Sequence, residues 1–395
     1  MQNELNANQI RQIYNIVNPI VQEELGDTFI LNEDLSNLVD AGRSFANLDA
    51  GYDHYVKKMI NLVGRMIFVD RVYEGVAPSV MRNGWTFGSV LEKSRAELPE
   101  AVMSEKWCLE DGASYDSSVF HAPKVSVSFW NSRVTYEYEM SYVNEQVQES
   151  FTSPTQMGAF ISMIRTSVIN AMTLSLEALI MRTINTMSAE TLYAEFPNGD
   201  YNTGSGKRAV NLLYLYNQNH PVSEQLTMDD KPWLNLEFQK FASYIMWLYK
   251  DKLKKYSKRY NIQETQKFTP ESKLHFVLLS AFKNAVDMYL QSDTFHDQFT
   301  RLPEAETIPY WQAESDGFDF ATESAIDLKT PYEHTVQANG IIGVMFDHDC
   351  LGVLNERRDT RTHYSAKGDF WNEFNTLYAQ YYIDTAENFI VFYIA

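Results

Sequence analysis

The chain has 395 residues, 52 acidic against 33 basic, for a formal net charge of −19 at pH 7, with 45% hydrophobic and 14% aromatic residues. So much buryable surface excludes a disordered chain, and the length suits roughly two to three folding units. The acidity excludes a protein whose main work is neutralising nucleic-acid phosphates, because that affinity comes from Lys and Arg.

The two cysteines, Cys108 and Cys350, form neither a CxxC pair nor a disulfide framework, so a reducing compartment and inert buried thiols are expected. The start, Met1-Gln2-Asn3-Glu4, lacks the cationic and apolar regions of an export signal. The most apolar long segment, Met157 to Met187, is interrupted by Arg165, Asn170, Glu177 and Arg182, so no membrane span is predicted.

In chain order, Ile10, Ile13, Val17, Ile20 and Val21 fall at helical spacing between Gln9 and Leu25, with Pro19 set to kink or split the helix. A second one-sided helix is predicted from Asp53, carried by Tyr55, Val56, Met59, Ile60 and Val63. Residues 1–75 thus read as a helical arm. From Gly84 to Pro123 the periodicity dissolves into a polar excursion. Two alternating runs follow: Val125, Val127 and Phe129 on one face, then Val134, Tyr136, Tyr138, Met140 and Tyr142 opposite Thr135, Glu137, Glu139 and Ser141. Both predict half-exposed strands.

Ser153-Pro154-Thr155-Gln156 is the clearest local signal. Ser153 and Gln156 can cap reciprocally, and Pro154 is preset for a first helical turn. A helix of unusual length is predicted from there to about Met187, well beyond the usual 11 to 12 residues. After the loop Asn198 to Gly206, Val210 to Tyr216 reads as a buried strand. Two amphipathic helices follow. One starts near Leu234 and carries Phe238, Phe241, Ile245 and Leu248; the other opens at Thr269-Pro270 and carries Leu274, Val277, Leu278, Ala281, Phe282, Ala285 and Met288. Ile341 to Phe346 and Phe389 to Ile394 predict strands, with polar turns between them.

A search for chemistry yields no catalytic, cofactor or metal set. Gly204-Ser205-Gly206-Lys207-Arg208 fails the phosphate-loop pattern, since Tyr201 stands where a glycine is needed and Arg208 where a Ser or Thr is needed; a flexible loop is expected. Asp347-His348-Asp349 reads as a polar turn, because adjacent residues of a strand cannot all face one ion. The eight histidines are scattered singly, and no GxSxG elbow occurs. Lys250 to Arg259 carries six basic residues in ten positions. Two readings stay open for it: a solvated face complementing a helix dipole, or an intermolecular contact.

Several segments carry a resemblance. Trp85-Thr-Phe87-Gly88-Ser-Val-Leu91-Glu92-Lys93 with Pro99-Glu100-Ala101 resembles the start of an extended loop, and Lys124 through Ser141 its return strand. Phe151-Thr152-Ser153 with Gly158-Ala-Phe-Ile161 resembles the start of a spine helix. Asn355-Glu-Arg357-Arg358, Tyr364 through Asn372 and Glu387 through Phe392 resemble a closing segment. Together they are similar to HK-97-like major capsid proteins of tailed phages, most of all those of small podoviruses of Gram-positive hosts.

The resemblance implies an α+β, HK-97-like capsid fold. Its parts would be a helical arm and start of the peripheral domain (1–75), an extended two-stranded loop (85–143), spine helix and peripheral domain (144–200), axial domain (201–335) and return strands (336–395). It implies a non-enzymatic subunit without cofactors that assembles with itself, as pentamers and hexamers, into an icosahedral shell around double-stranded DNA. Scaffolding and portal proteins are implied partners, DNA contact would be weak and non-specific, and no membrane is involved. Assembly would occur in the host cytoplasm and the product would be the virion. No highly charged helical segment precedes the arm, which implies a separate scaffolding protein or none. Candidate intersubunit contacts are Trp85, Phe87, Tyr136, Tyr138, Lys254, Lys255 and Arg259; for the tyrosines, packing against the subunit's own core is the competing reading. An encapsulin-like compartment, an acidic hydrolase and a decoration protein are the alternatives.

Overall fold

The computed structural model describes residues 14, 18, 21, 31, 32, 34, 36, 37, 78–82, 90–99, 111, 118, 120, 122–143, 154–293, 302–315 and 319–395. Of the two predicted arm helices only Tyr14, Asn18 and Val21 are described, all three helical; the rest of both lies outside the described residues, as do Trp85, Phe87 and Cys108. The chain divides into two units, one made of residues 1–84, 133–182 and 353–380 and the other of 85–132, 183–352 and 381–395.

The first unit is built on a four-stranded sheet in the order β1 (Met81–Arg82), β11 (Leu351–Ser365), β12 (Phe370–Ile383) and β4 (Arg133–Val143). β4 runs antiparallel to β12, in register from Arg133 opposite Gln380 to Val143 opposite Phe370. Its predicted alternation holds: Val134, Tyr136, Tyr138 and Met140 are half-buried while Thr135, Glu137, Glu139 and Ser141 are exposed. The β11–β12 pair replaces the polar turns expected between the two C-terminal strands. Among its buried Trp371, Leu377 and Ala379 stand Glu373 and Asn375, both fully buried, with Asn375 Nδ2 donating to Glu373 Oε1 at 2.6 Å, so the apolar alternation is interrupted.

The long helix, α1, runs Pro154–Glu195, 42 residues or about 63 Å at 1.5 Å per residue. It starts where the Ser-Pro signal placed it and ends two turns beyond Met187. Residues through Arg182 belong to the first unit. Tyr138 reaches it with its hydroxyl, donating to Ser175 Oγ or to the Ala171 carbonyl. Tyr138→Phe is expected to lower stability by about 0.5–1.5 kcal/mol in urea unfolding, the net worth of a hydrogen bond. An unchanged midpoint would show that the hydroxyl is not used inside the subunit.

In the second unit, residues 183–192 of α1 are buried on every side. By length and composition alone Thr166–Glu195 is apolar enough to cross a membrane. All-round burial in a protein core accounts for the apolar composition of 183–192, whereas 166–182 is buried along one stripe only. The sheet of this unit has the order β5 (Ala209–Asn211), β13 (Phe389–Tyr393), β10 (Ile341–Asp347), β6 (Leu274–Leu279) and β7 (Glu306–Ile308). β13, β10 and β6 form its antiparallel centre, while β5 and β7 join the edges in parallel. β10 and β13 are buried at every position, as strands covered on both faces are. Helices α2 (Leu212–Asn219), α3 (Leu236–Leu253) and α4 (Ser280–Asp293), with the short α5 (Phe320–Glu323), accompany the sheet. Two further ladders complete the unit, β8 (Ile326–Lys329) with β9 (Thr335–Ala338) and β2 (Leu91–Ala96) with β3 (Val125–Trp130).

Two expectations here are corrected. The run read as a strand from Val210 to Tyr216 is strand only to Asn211, whose side chain accepts from the Tyr214 N–H and caps α2. The helix read from Thr269-Pro270 begins at Ser280; Leu274–Leu279 is β6, with a single 3-10 turn before it. Leu274, Val277, Leu278 and Ala281 satisfy a helical period, but so does any continuous apolar run, and a central strand is one.

Candidate assembly surfaces

The β2–β3 ladder has two unlike faces. On β2, Leu91, Lys93 and Arg95 are half-buried and Glu92, Ser94 and Ala96 exposed; on β3, Ser128 and Trp130 are half-buried. Val125, Val127 and Phe129, on the other face, are 57%, 44% and 63% exposed. In register, Phe129 lies opposite Glu92, Val127 opposite Ser94 and Val125 opposite Ala96. The result is an apolar stripe on a narrow ladder, open to solvent.

The inner face is seated on the turn that joins β12 to β13. Lys93 Nζ donates to Asp384 Oδ2 at 2.9 Å, Glu387 Oε1 at 2.8 Å and the Asp349 carbonyl at 3.0 Å. Arg95 pairs with Asp384 and, at 3.3 Å from Nε, with Glu387. Neither Arg95 Nε nor its paired Nη2 makes a well-aligned hydrogen bond, so its attraction is chiefly Coulombic. Lys267 approaches Glu387 from a third direction at 3.3 Å. Burial works to raise the Glu387 pKa, but the Lys93 hydrogen bond and the charges of Lys93, Lys267 and Arg95 outweigh it and hold the carboxyl below its ordinary value. Trp130 Nε1 donates to the Ile383 carbonyl at 2.9 Å, and its ring lies 5.4 Å from that of Tyr382.

The basic run divides by partner. Lys250 and Lys254 both pair with Glu271, and Lys254 also pairs with Asp251. Lys250 and Lys252 lie over the rings of Trp247 and Tyr249. Lys255 and Arg259 are exposed just past the end of α3, where cations complement the helix C-terminus. Tyr136 is half-buried on the inward face of β4 beside Tyr138.

The loop expected to be flexible around Gly204 to Arg208 is instead pinned. Arg208 Nε donates to Glu195 Oε1 at 2.7 Å, Arg208 Nη1 to the Asn261 carbonyl at 2.7 Å, and Gly206 N to the Ala209 carbonyl at 2.8 Å. Asp347-His348-Asp349 is the predicted turn, Asp349 N donating to Asp347 Oδ1 at 2.8 Å. His348 meets His275 at 2.9 Å, a pairing across strands that single-residue scanning misses. Among the described residues no group of three His, Cys, Asp or Glu side chains is arranged to hold a metal ion. A cavity of about 360 Å³ beside His275 is lined by Lys250, Glu271, Glu304, Glu306 and Met345, with no Ser, Thr or Cys among the described residues that line it. Cys350 is fully buried, and burial pushes its thiol pKa well up, which makes it inert.

A ladder with one seated and one exposed apolar face, a 42-residue helix and two units each built on a sheet make up an α+β fold. The model of the Phi29-like phage major capsid protein family matches residues 17–393, and the chain belongs to that family. No curated protein matches it. Among solved structures, the capsid of Staphylococcus phage Andhra is similar at 11% identity and a TM-score of 0.45, over 83% of this chain and 87% of that one. The capsid of cyanophage P-SCSP1u is similar at 11% identity and a TM-score of 0.43, over 82% and 88%. The mature capsid of bacteriophage PhiM1 is similar at 8% identity and 0.39, over 83% and 88%.

Proposed function

We propose that the chain is a non-enzymatic building block that associates with itself, as pentamers and hexamers, into the icosahedral head shell around a double-stranded DNA genome. Family membership supports the shell role, and one observation carries the self-association: the apolar stripe of Val125, Val127 and Phe129, left open on a ladder whose other face is occupied. An apolar face of this kind gains by being covered, and repeated contacts that close on themselves give shells. Trp85, Phe87, Lys254, Lys255 and Arg259 are proposed contacts between subunits. Tyr136 and Tyr138 belong to the same proposal only through ring surface, because the Tyr138 hydroxyl is bonded to its own helix. The net charge of −19 fits a wall that holds packaged DNA weakly. The host would be a Gram-positive bacterium and the phage a short-tailed one, with assembly in the cytoplasm aided by scaffolding and portal proteins.

Size-exclusion chromatography with light scattering, followed by negative-stain microscopy of the largest species, tests this. Rings, tubes or closed shells are expected. A strictly monodisperse monomer at high concentration, with and without a scaffolding protein, would overturn it.

A further inference from the structure

An isolated two-stranded ladder is marginal in water, so β2–β3 needs something to hold it. Among the described residues, Trp130 against Tyr382 and the half-buried Leu91 give it apolar support, Trp130 Nε1 adds its bond to the Ile383 carbonyl, and Val125, Val127 and Phe129 face solvent. Beside these stands a set of charged contacts. Asp384 and Glu387 are 3% and 6% exposed, on a tight turn whose own backbone is fixed by Asp384 N donating to the Cys350 carbonyl at 2.7 Å and by Ala386 N donating to Asp384 Oδ1 at 3.1 Å. The turn therefore presents two buried carboxylates at a fixed place. We propose that Asp384 and Glu387 form a charged seat that positions the β2–β3 ladder on its own subunit, with Lys93 and Arg95 as the positioning residues that turn Val125, Val127 and Phe129 outward.

The alternation of β2 makes this an orientation device as well as an anchor. Lys93 and Arg95 are two apart and share a face, so gripping both fixes which side of the ladder faces the lobe. The opposite strand follows through the register, Lys93 against Ser128 and Arg95 against Ser126, two small residues that leave room for the long cationic side chains. Other charges around the seat are Lys267, which adds a third cation, and Asp347 and Asp349 on the β10 turn, which add negative charge. Asp349 has its own partner in Lys273 at 3.0 Å, so removing Lys93 and Arg95 leaves Asp384 and Glu387 buried with only Lys267 beside them and a neutral ladder opposite. Removing one side of a buried pair is the costly change.

The test is hydrogen exchange by mass spectrometry on the purified full-length subunit. In Lys93→Met/Arg95→Met, amides of 91–96 and 125–130 are expected to exchange at least about tenfold faster while those of β10 and β13 keep their protection. Lys93→Arg, which retains the charge, should leave the ladder protected. Should the double variant fail to fold, the same comparison is made on Lys93→Gln, which keeps Arg95. Unchanged exchange in the ladder, or an equal rise throughout the second unit, overturns the proposal. The proposal bears on assembly only through the capsid reading, and the exchange measurement separates the two. A wild-type chain that never assembles removes that reading, while local release of the ladder still establishes the seat.

Discussion

Gly340→Ala is expected to cost about 3 kcal/mol or more, a large share of the roughly 5–15 kcal/mol that ordinarily holds a domain folded. Gly340 sits between β9 and β10 at φ 79°, a region that costs an L-residue about 1–2 kcal/mol. A Cβ there would also overlap the carbonyl oxygen of Ile394, and overpacking of this kind adds about 1–3 kcal/mol. The two segments cannot simply part, because Ile394 N donates to the Gly340 carbonyl at 2.8 Å and Gly340 N donates to Ser324 Oγ at 2.9 Å. Those bonds tie the last residues of the chain to the start of the central strand. Gly199 provides the control: its φ is 77°, but no atom lies within 4 Å of a Cβ built there. Gly199→Ala should therefore cost only the backbone term, about 1–2 kcal/mol. Urea unfolding followed by circular dichroism compares the two, and equal midpoint shifts would show that the contact with Ile394 is not the cause.

What the sequence reveals of this fold depends on whether the signal is local. Pro154 is the first residue of α1, as the Ser-Pro signal predicts, because a helix start is a local matter of about four residues; Ser153 itself lies outside the described residues. The alternation of β4 is legible because one face is exposed. β6 is not, since Phe276 to Leu279 are buried in succession, as on a strand covered on both faces, and match a helical period equally well. The Asn211 cap was legible in principle: a good capping residue stands before Leu212, and the apolar run around it masked the signal. β12 escaped because Glu373, Asn375 and Gln380 interrupt its buried apolar residues, and β11 because it is apolar only from Leu351 to Leu354 before a polar run to Ser365. The seat lies beyond any local reading. Lys93 and Glu387 are 294 positions apart, and each alone is an ordinary charged residue.

The two faces of the β2–β3 ladder make separable demands, and the outward one yields the largest effect expected on assembly. Val127→Glu/Phe129→Glu should reduce assembled product at least about tenfold while leaving the subunit's thermal unfolding close to wild type. Both positions are exposed, where substitutions usually change stability by about 0.5 kcal/mol or less. Glu at 129 would lie directly opposite Glu92, so the pair would repel in the free subunit and more strongly once covered. An unpaired charge buried in a contact costs several kcal/mol, and in a shell the same contact recurs in every subunit. Sedimentation of assembly reactions, beside hydrogen exchange of 91–96 and 125–130, reads both quantities. Lys93→Met/Arg95→Met should loosen the ladder and impair assembly together; Val127→Glu/Phe129→Glu should impair assembly with the ladder still protected. Wild-type yields from the outward-face variant would mean that the stripe meets no neighbour, and the shell contacts would have to be sought at Lys254, Lys255 and Arg259 instead.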